Sequence, residues 1–255
     1  MRHENELPSW LWLWLVLLLL AAQFGTKALV PDDAIYTAIF ETEFGVVELL
    51  TAFLLLPAAA LALMSARFFW RAGQAIEAVL LVGFALACLF LCGEEVSWGQ
   101  HVFQWSSPDY FVDNNIQGET NLHNMEYFNK KVLKLVVIIG IAVGGLVVPI
   151  LARIQPGLFG PGANRIARFM PTYVVVPTAI IVLVSHIGVK VLLNRYGIDT
   201  ARDVIGISVR EMTELYISIF FFLYALSLYR RVARPLESGS NVSQSETATG
   251  KASIA

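Results

Sequence analysis

The chain has 255 residues, of which 56% are hydrophobic and 15% charged, with a formal net charge of -2 and a mean hydropathy of +0.63. The apolar share lies above that of an ordinary soluble domain and the charged share below it, which excludes a water-soluble globule and points to a polytopic membrane protein. A slightly negative charge gives no electrostatic basis for nucleic-acid binding, so the partner expected is membrane lipid.

Six apolar runs are long enough to be read as crossings of a hydrocarbon core of about 30 Å, near residues 10–24, 44–66, 75–92, 132–152, 171–193 and 215–232. The fold class is therefore all-α: a polytopic transmembrane bundle of about six helices, with one transmembrane domain over 1–233. In the first run Trp10, Trp12 and Trp14 form an interfacial aromatic anchor. A retained helix is favoured over a cleaved signal peptide, because Thr26-Lys27-Ala28 is a poor small-residue cleavage site. The short connections from Arg67 to Gly73 and from Arg153 to Met170 are basic and contain no acid, which puts both termini in the cytoplasm. The third run contains Cys88 and Cys92, four apart on one helical face and read as packing residues.

Directly after the third run the chain becomes polar and aromatic, from Gly93 to Asn124. Glu94 and Glu95 open this stretch at the edge of the hydrocarbon, where a carboxylate has to be paired, hydrogen-bonded, metal-bound or protonated. The connection over 93–131 is too long for an ordinary link and too aromatic for disorder, so it is expected to fold as a helical cap between helices 3 and 4. Ser107-Pro108-Asp109 reads as an N-cap, a first-turn proline and an early acid, so a short helix should start there. Leu122, Met125, Phe128, Val132 and Leu135 recur at three and four, which predicts an amphipathic helix running into the fourth crossing. On the fifth run His186 falls within the same half of the membrane. The sixth begins at that end with Arg210, Glu211 and Glu214, and the tail over 234–255 is polar and expected to be a disordered cytoplasmic segment.

The candidate catalytic residues are Glu94, Glu95, Glu119 and His123. Trp98, Gln100, Asn121, Asn124 and Arg210 are candidates for substrate binding, and His123, His186, Glu211 and Glu214 for a metal. If the helix continues through the GEE segment, Glu94, Trp98 and His101 share a face, and Glu119 and His123 are likewise four apart. Such spacings from several helices build metal sites. His101, His123 and His186 would suit zinc with an open fourth position, whereas Glu94, Glu119, Glu211 and Glu214 with one or two imidazoles would suit iron or manganese.

The segments GEEVSWGQ (Gly93 to Gln100) and NIQGETNLHN (Asn115 to Asn124) resemble the signature of a family of uncharacterised bacterial multi-pass membrane proteins. That resemblance implies the bacterial inner membrane and no established activity. Ser97 and His101, in Ser-x-x-x-His spacing, are also similar to part of the pattern of the alkaline ceramidase and progestin-receptor-like membrane zinc hydrolases, although His186 is followed four residues on by Lys190 rather than a second histidine. Two functions follow from these residues. One is a membrane-embedded, metal- or acid/base-dependent enzyme, a hydrolase or transferase acting on a lipid or lipid-linked substrate. The other is an ion- or proton-coupled transporter, channel or sensor using the same carboxylates.

Overall fold

The computed structural model describes residues 7–40, 45–115, 118–122, 125, 130–159, 167, 169–188, 191, 195 and 207–252, with side chains left undescribed at 33, 130–133, 158–159 and 234–252. Among these residues the regular structure is helical, with one isolated antiparallel bridge between Asn115 and Met125. Its elements are α1 (Trp10–Leu29), α2 (Asp33–Phe40), α3 (Val46–Arg71), α4 (Ala75–Glu95), α5 (Gln100–Phe103) and α6 (Asp109–Asn114). After them come α7 (Lys130–Ala142, continued through a π turn Val143–Val147 into Val148–Ile154), α8 (Tyr173–Gly188) and α9 (Val209–Ala252).

Among the described residues, five helices are long and apolar enough to cross a membrane: α1, α3, α4, the part of α7 from Lys134 to Ile154, and α9 from Val209 to Ala233. The chain is a multi-pass helical membrane protein. The fifth run of the sequence reading is the shorter α8, whose described helix ends at Gly188. At 1.5 Å per residue it spans roughly 24 Å, somewhat less than a full hydrocarbon core.

The last helix is the axis of the bundle. In α9, 72% of the most apolar window is buried inside the protein, against 6% in α1. Leu215, Tyr216, Ile219, Phe220, Leu223, Tyr224 and Leu228 are all buried, and they bear on several neighbours at once. A helix apolar around its whole circumference belongs inside a bundle. α3 packs along both α4 and α9. The seam is made of small residues, Ala52, Ala58, Ala59 and Ala62 against Ala85, Cys88, Cys92 and Ala225, which allow close backbone approach where lipid offers no hydrophobic drive. Both cysteines are buried packing residues, and Cys92 Sγ lies 3.5 Å from the carbonyl oxygen of Ala52. α7 and α8 meet at Gly145, where an added Cβ would come within 2.5 Å of the Ala179 Cβ.

One local expectation is revised. The amphipathic helix expected from Leu122 is not formed at Leu122 and Met125, because Met125 bridges to Asn115; Phe128 lies outside the described residues, and Val132 and Leu135 fall within α7. The described backbone of α9 is helical to Ala252.

Candidate functional site at the capped end of the bundle

The sequence expectation of one helical face through Glu94, Trp98 and His101 gives way to a sharp reversal. α4 ends at Glu95, and Ser97, Trp98 and Gly99 then take left-handed backbone, with φ of 44°, 54° and 82°. Left-handed conformations at Ser and Trp are costly, of order 1–3 kcal/mol each, and persist only where surrounding contacts over-determine them. The turn folds the Trp98 ring back over α4, so that Nε1 donates to Glu94 Oε1 at 2.8 Å and the ring meets Phe90 edge-on at 5.9 Å. Gly93 makes room for this, because a Cβ there would come within 2.8 Å of the indole.

The surrounding contacts come from Asn115 and residues 118–122, which close on residues 94–101 by side-chain hydrogen bonds. The second oxygen of Glu94 accepts the Leu122 N–H at 2.7 Å. Glu119 Oε2 accepts from Ser97 Oγ at 2.7 Å and Asn121 Nδ2 at 2.6 Å, and Oε1 lies 2.8 Å from His101 Nε2. A carboxylate that already accepts from Ser97 and Asn121 takes the imidazole N–H in that position. Gln100 spans the two segments, accepting the Thr120 N–H through Oε1 at 2.7 Å and donating to Ser107 Oγ at 2.9 Å. Asn115 Nδ2 donates to Asn121 O and Oδ1 at 2.8 and 2.9 Å. Glu94, Ser97, Asn115, Glu119 and Asn121 are all buried. Satisfied polar networks of this kind rigidify the elements they join.

Glu95 points into a different environment. It is half-buried, and its strongest charged neighbours are Glu214, Glu211, Glu48 and Arg210, in that order. Glu214 pairs with Lys134 at 3.6 Å and Glu211 with Arg210 at 2.8 Å. No hydrogen bond or ion pair holds Glu95 among the described residues. Carboxylates from the ends of α3, α4 and α9 thus share one region with two cations, on the membrane side of the cap.

No family model, curated protein or solved structure matches the chain.

The candidate residues therefore divide into two groups. Glu94, Glu119, Gln100 and Asn121 use their polar atoms within the cap, as does the indole nitrogen of the otherwise exposed Trp98. Glu95, Arg210, Glu211 and Glu214 form the second group. His123 and Asn124 lie outside the described residues. His186 follows Ser185, whose hydroxyl is 3.0 Å from that of Thr213, so the histidine sits at the depth of Glu214. Among the described residues, no three of His, Cys, Asp and Glu gather into a group that could hold a metal ion.

Sequence reasoning passed over Thr120 and Lys134 and gave Ser107 a different role. Ser107 does not cap α6, whose N-cap position is Pro108; its hydroxyl donates to Gly118 O at 2.6 Å instead. Lys134 could have been found from topology, because the fourth crossing starts at the depth at which the carboxylates converge.

Proposed function

We propose that the chain is a membrane-embedded enzyme, a hydrolase or transferase, that uses Glu95 with Glu214 as acid and base toward a lipid or lipid-linked substrate. What supports this reading is the contrast between two adjacent carboxylates. Glu94 has both oxygens engaged in holding the cap, whereas Glu95 faces Glu48, Glu211 and Glu214 without a hydrogen-bond partner among the described residues. A carboxylate kept partly buried and unengaged beside like charges is available for proton transfer. Arg210 borders the group with a half-exposed guanidinium, suited to a phosphate or carboxylate on the substrate. The basic short connections favour cytoplasmic termini and hence this end on the outer face, and the resemblance of the 93–100 and 115–124 segments implies a bacterial inner membrane.

The transporter reading is less well supported. The buried hydroxyls Thr51, Ser65, Thr178 and Ser218 donate to the carbonyl three or four residues back on their own helices, rather than to one another. Among the described residues, hydroxyls of the bundle meet one another in two pairs fourteen residues apart along α9, Ser185 with Thr213 at 3.0 Å and Thr172 with Ser227 at 3.4 Å, rather than in a continuous relay. The test is to reconstitute the wild type and Glu95→Gln in vesicles of bacterial lipid extract and compare lipid species by mass spectrometry over time. Species consumed by the wild type and untouched by the variant support the enzyme reading. An unchanged lipid profile with Glu95-dependent proton or cation flux would overturn it in favour of transport.

A further inference from the structure

Below the carboxylates the bundle is open on one side. A cavity of about 250 Å³ lies between α4, α7, α9 and Pro171, just ahead of α8, lined by Phe84, Val137, Gly140, Ile141, Phe221 and Tyr224 among others. Its lining is almost wholly apolar, and the Tyr224 hydroxyl is turned away to donate to Phe169 O at 3.0 Å. Phe84 meets both Phe221 and Tyr224 edge-on, at 5.2 and 5.5 Å, so one wall is rigid aromatic.

Gly140 is the informative residue. Glycine inside a helix costs roughly 0.5–1 kcal/mol relative to alanine. A Cβ at Gly140 would meet nothing within 4 Å, so neither a close approach nor a left-handed backbone accounts for it. Gly145 on the same helix shows the contrary case, with Ala179 and Phe220 against it. Gly140 is exposed, and its neighbours Val136, Ile139 and Val143 present large apolar side chains outward, so the cavity meets the hydrocarbon of the bilayer there.

We infer that this cavity is a seat for a single lipid acyl chain. The cavity opens beside the exposed Gly140, among side chains that face hydrocarbon, so the occupant at hand there is a lipid acyl chain. A dry apolar cavity of about 150 Å³ already holds a benzene-sized ligand, so this one holds a longer stretch of hydrocarbon. Counting at 1.5 Å per residue, Phe220 and Gly140 lie roughly 9 Å beneath Glu214 and Lys134, and Tyr224 roughly 15 Å beneath Glu214. A chain in the cavity therefore hangs below the carboxylate group. That the same lipid is the substrate rests on the function proposed above; occupancy of the cavity does not.

The experiment uses the full chain in nanodiscs containing a phosphatidylcholine with a diazirine near the end of one acyl chain. After photolysis, peptides are mapped by mass spectrometry for wild type, Gly140→Ala, Gly140→Phe, Val137→Trp and Glu95→Gln, each checked by thermal unfolding. Adducts should concentrate around Ile141 and Phe221, persist in Gly140→Ala and Glu95→Gln, and fall about tenfold in whichever bulky variant folds, equivalent to ~1.4 kcal/mol of lost occupancy. Adducts spread evenly over lipid-facing positions such as Leu86 and Ile150, or undiminished by both bulky residues, would overturn the inference. So would a native-mass dimer lost in Gly140→Phe without any acyl adduct. Because Glu95→Gln is expected to keep its adducts, failure of the enzyme reading and failure of the acyl-chain seat give different results.

Discussion

Replacing Glu119 by glutamine should loosen the cap without unfolding the bundle. The side chain keeps its volume, but one of its two oxygens becomes an NH2 group. At present three donors converge on the carboxylate: His101 Nε2, Ser97 Oγ and Asn121 Nδ2. Whichever way the amide is turned, at least one donor loses its acceptor and the others lose the charge. Hydrogen bonds to charged groups contribute about 1.5–3 kcal/mol each, so one lost and two weakened amount to about 3 kcal/mol. The Thr120 and Leu122 amides, bonded to Gln100 and Glu94, report the opening directly. In hydrogen exchange read by mass spectrometry, about 3 kcal/mol of easier local opening corresponds to on the order of 100-fold faster exchange at those two amides. Glu95→Gln serves as the control and should leave cap exchange unchanged. Exchange in Glu119→Gln within about threefold of wild type would refute the reasoning, since that corresponds to under ~0.7 kcal/mol.

Three further outcomes are expected. Gly93→Ala forces the Trp98 ring off α4 and should destabilise the protein by about 1–3 kcal/mol in detergent unfolding, whereas Gly83→Ala, whose Cβ meets nothing within 4 Å, should be neutral or slightly stabilising. The cap exposes Val102, Phe103, Tyr110 and Val112, with Phe103 stacked on Trp105 at 6.0 Å, and such a surface beside a membrane should sit in the interface. An environment-sensitive fluorophore on Val102→Cys should therefore emit blue-shifted and be quenched by lipids labelled near the headgroup; emission as in water would contradict this. Cys88 and Cys92 should stay unmodified by a maleimide in the folded protein and react after denaturation, read by intact mass.

The fold was legible because apolar runs of membrane length leave few alternatives to helices, and the polar, aromatic stretch after Cys92 marked the cap. The roles within the cap were not legible. Helical spacing suggested that Glu94, Trp98 and His101 share a face, but three successive left-handed residues break the helix, and that turn is stabilised by tertiary contacts with Glu119 and Asn121 beside the Trp98 contacts to Glu94 and Phe90. The same cause separates Glu94 from Glu95. Adjacent residues on a helix point about 100° apart, and which of the two turns toward the cap depends on where the 119–122 segment returns. Arg210, Glu211 and Glu214 were recognisable as companions of the third helix from membrane depth alone. Lys134 obeys the same rule and was overlooked because it lies just inside the fourth run.

The account rests on the division of labour between Glu94 and Glu95. Treatment of the protein in nanodiscs with a membrane-permeant carbodiimide, followed by peptide mapping, tests it most directly. The account predicts adducts on Glu95, with Glu214 as the secondary site, and none on Glu94 or Glu119 while the cap is intact. Modification of Glu94 with Glu95 untouched would contradict it.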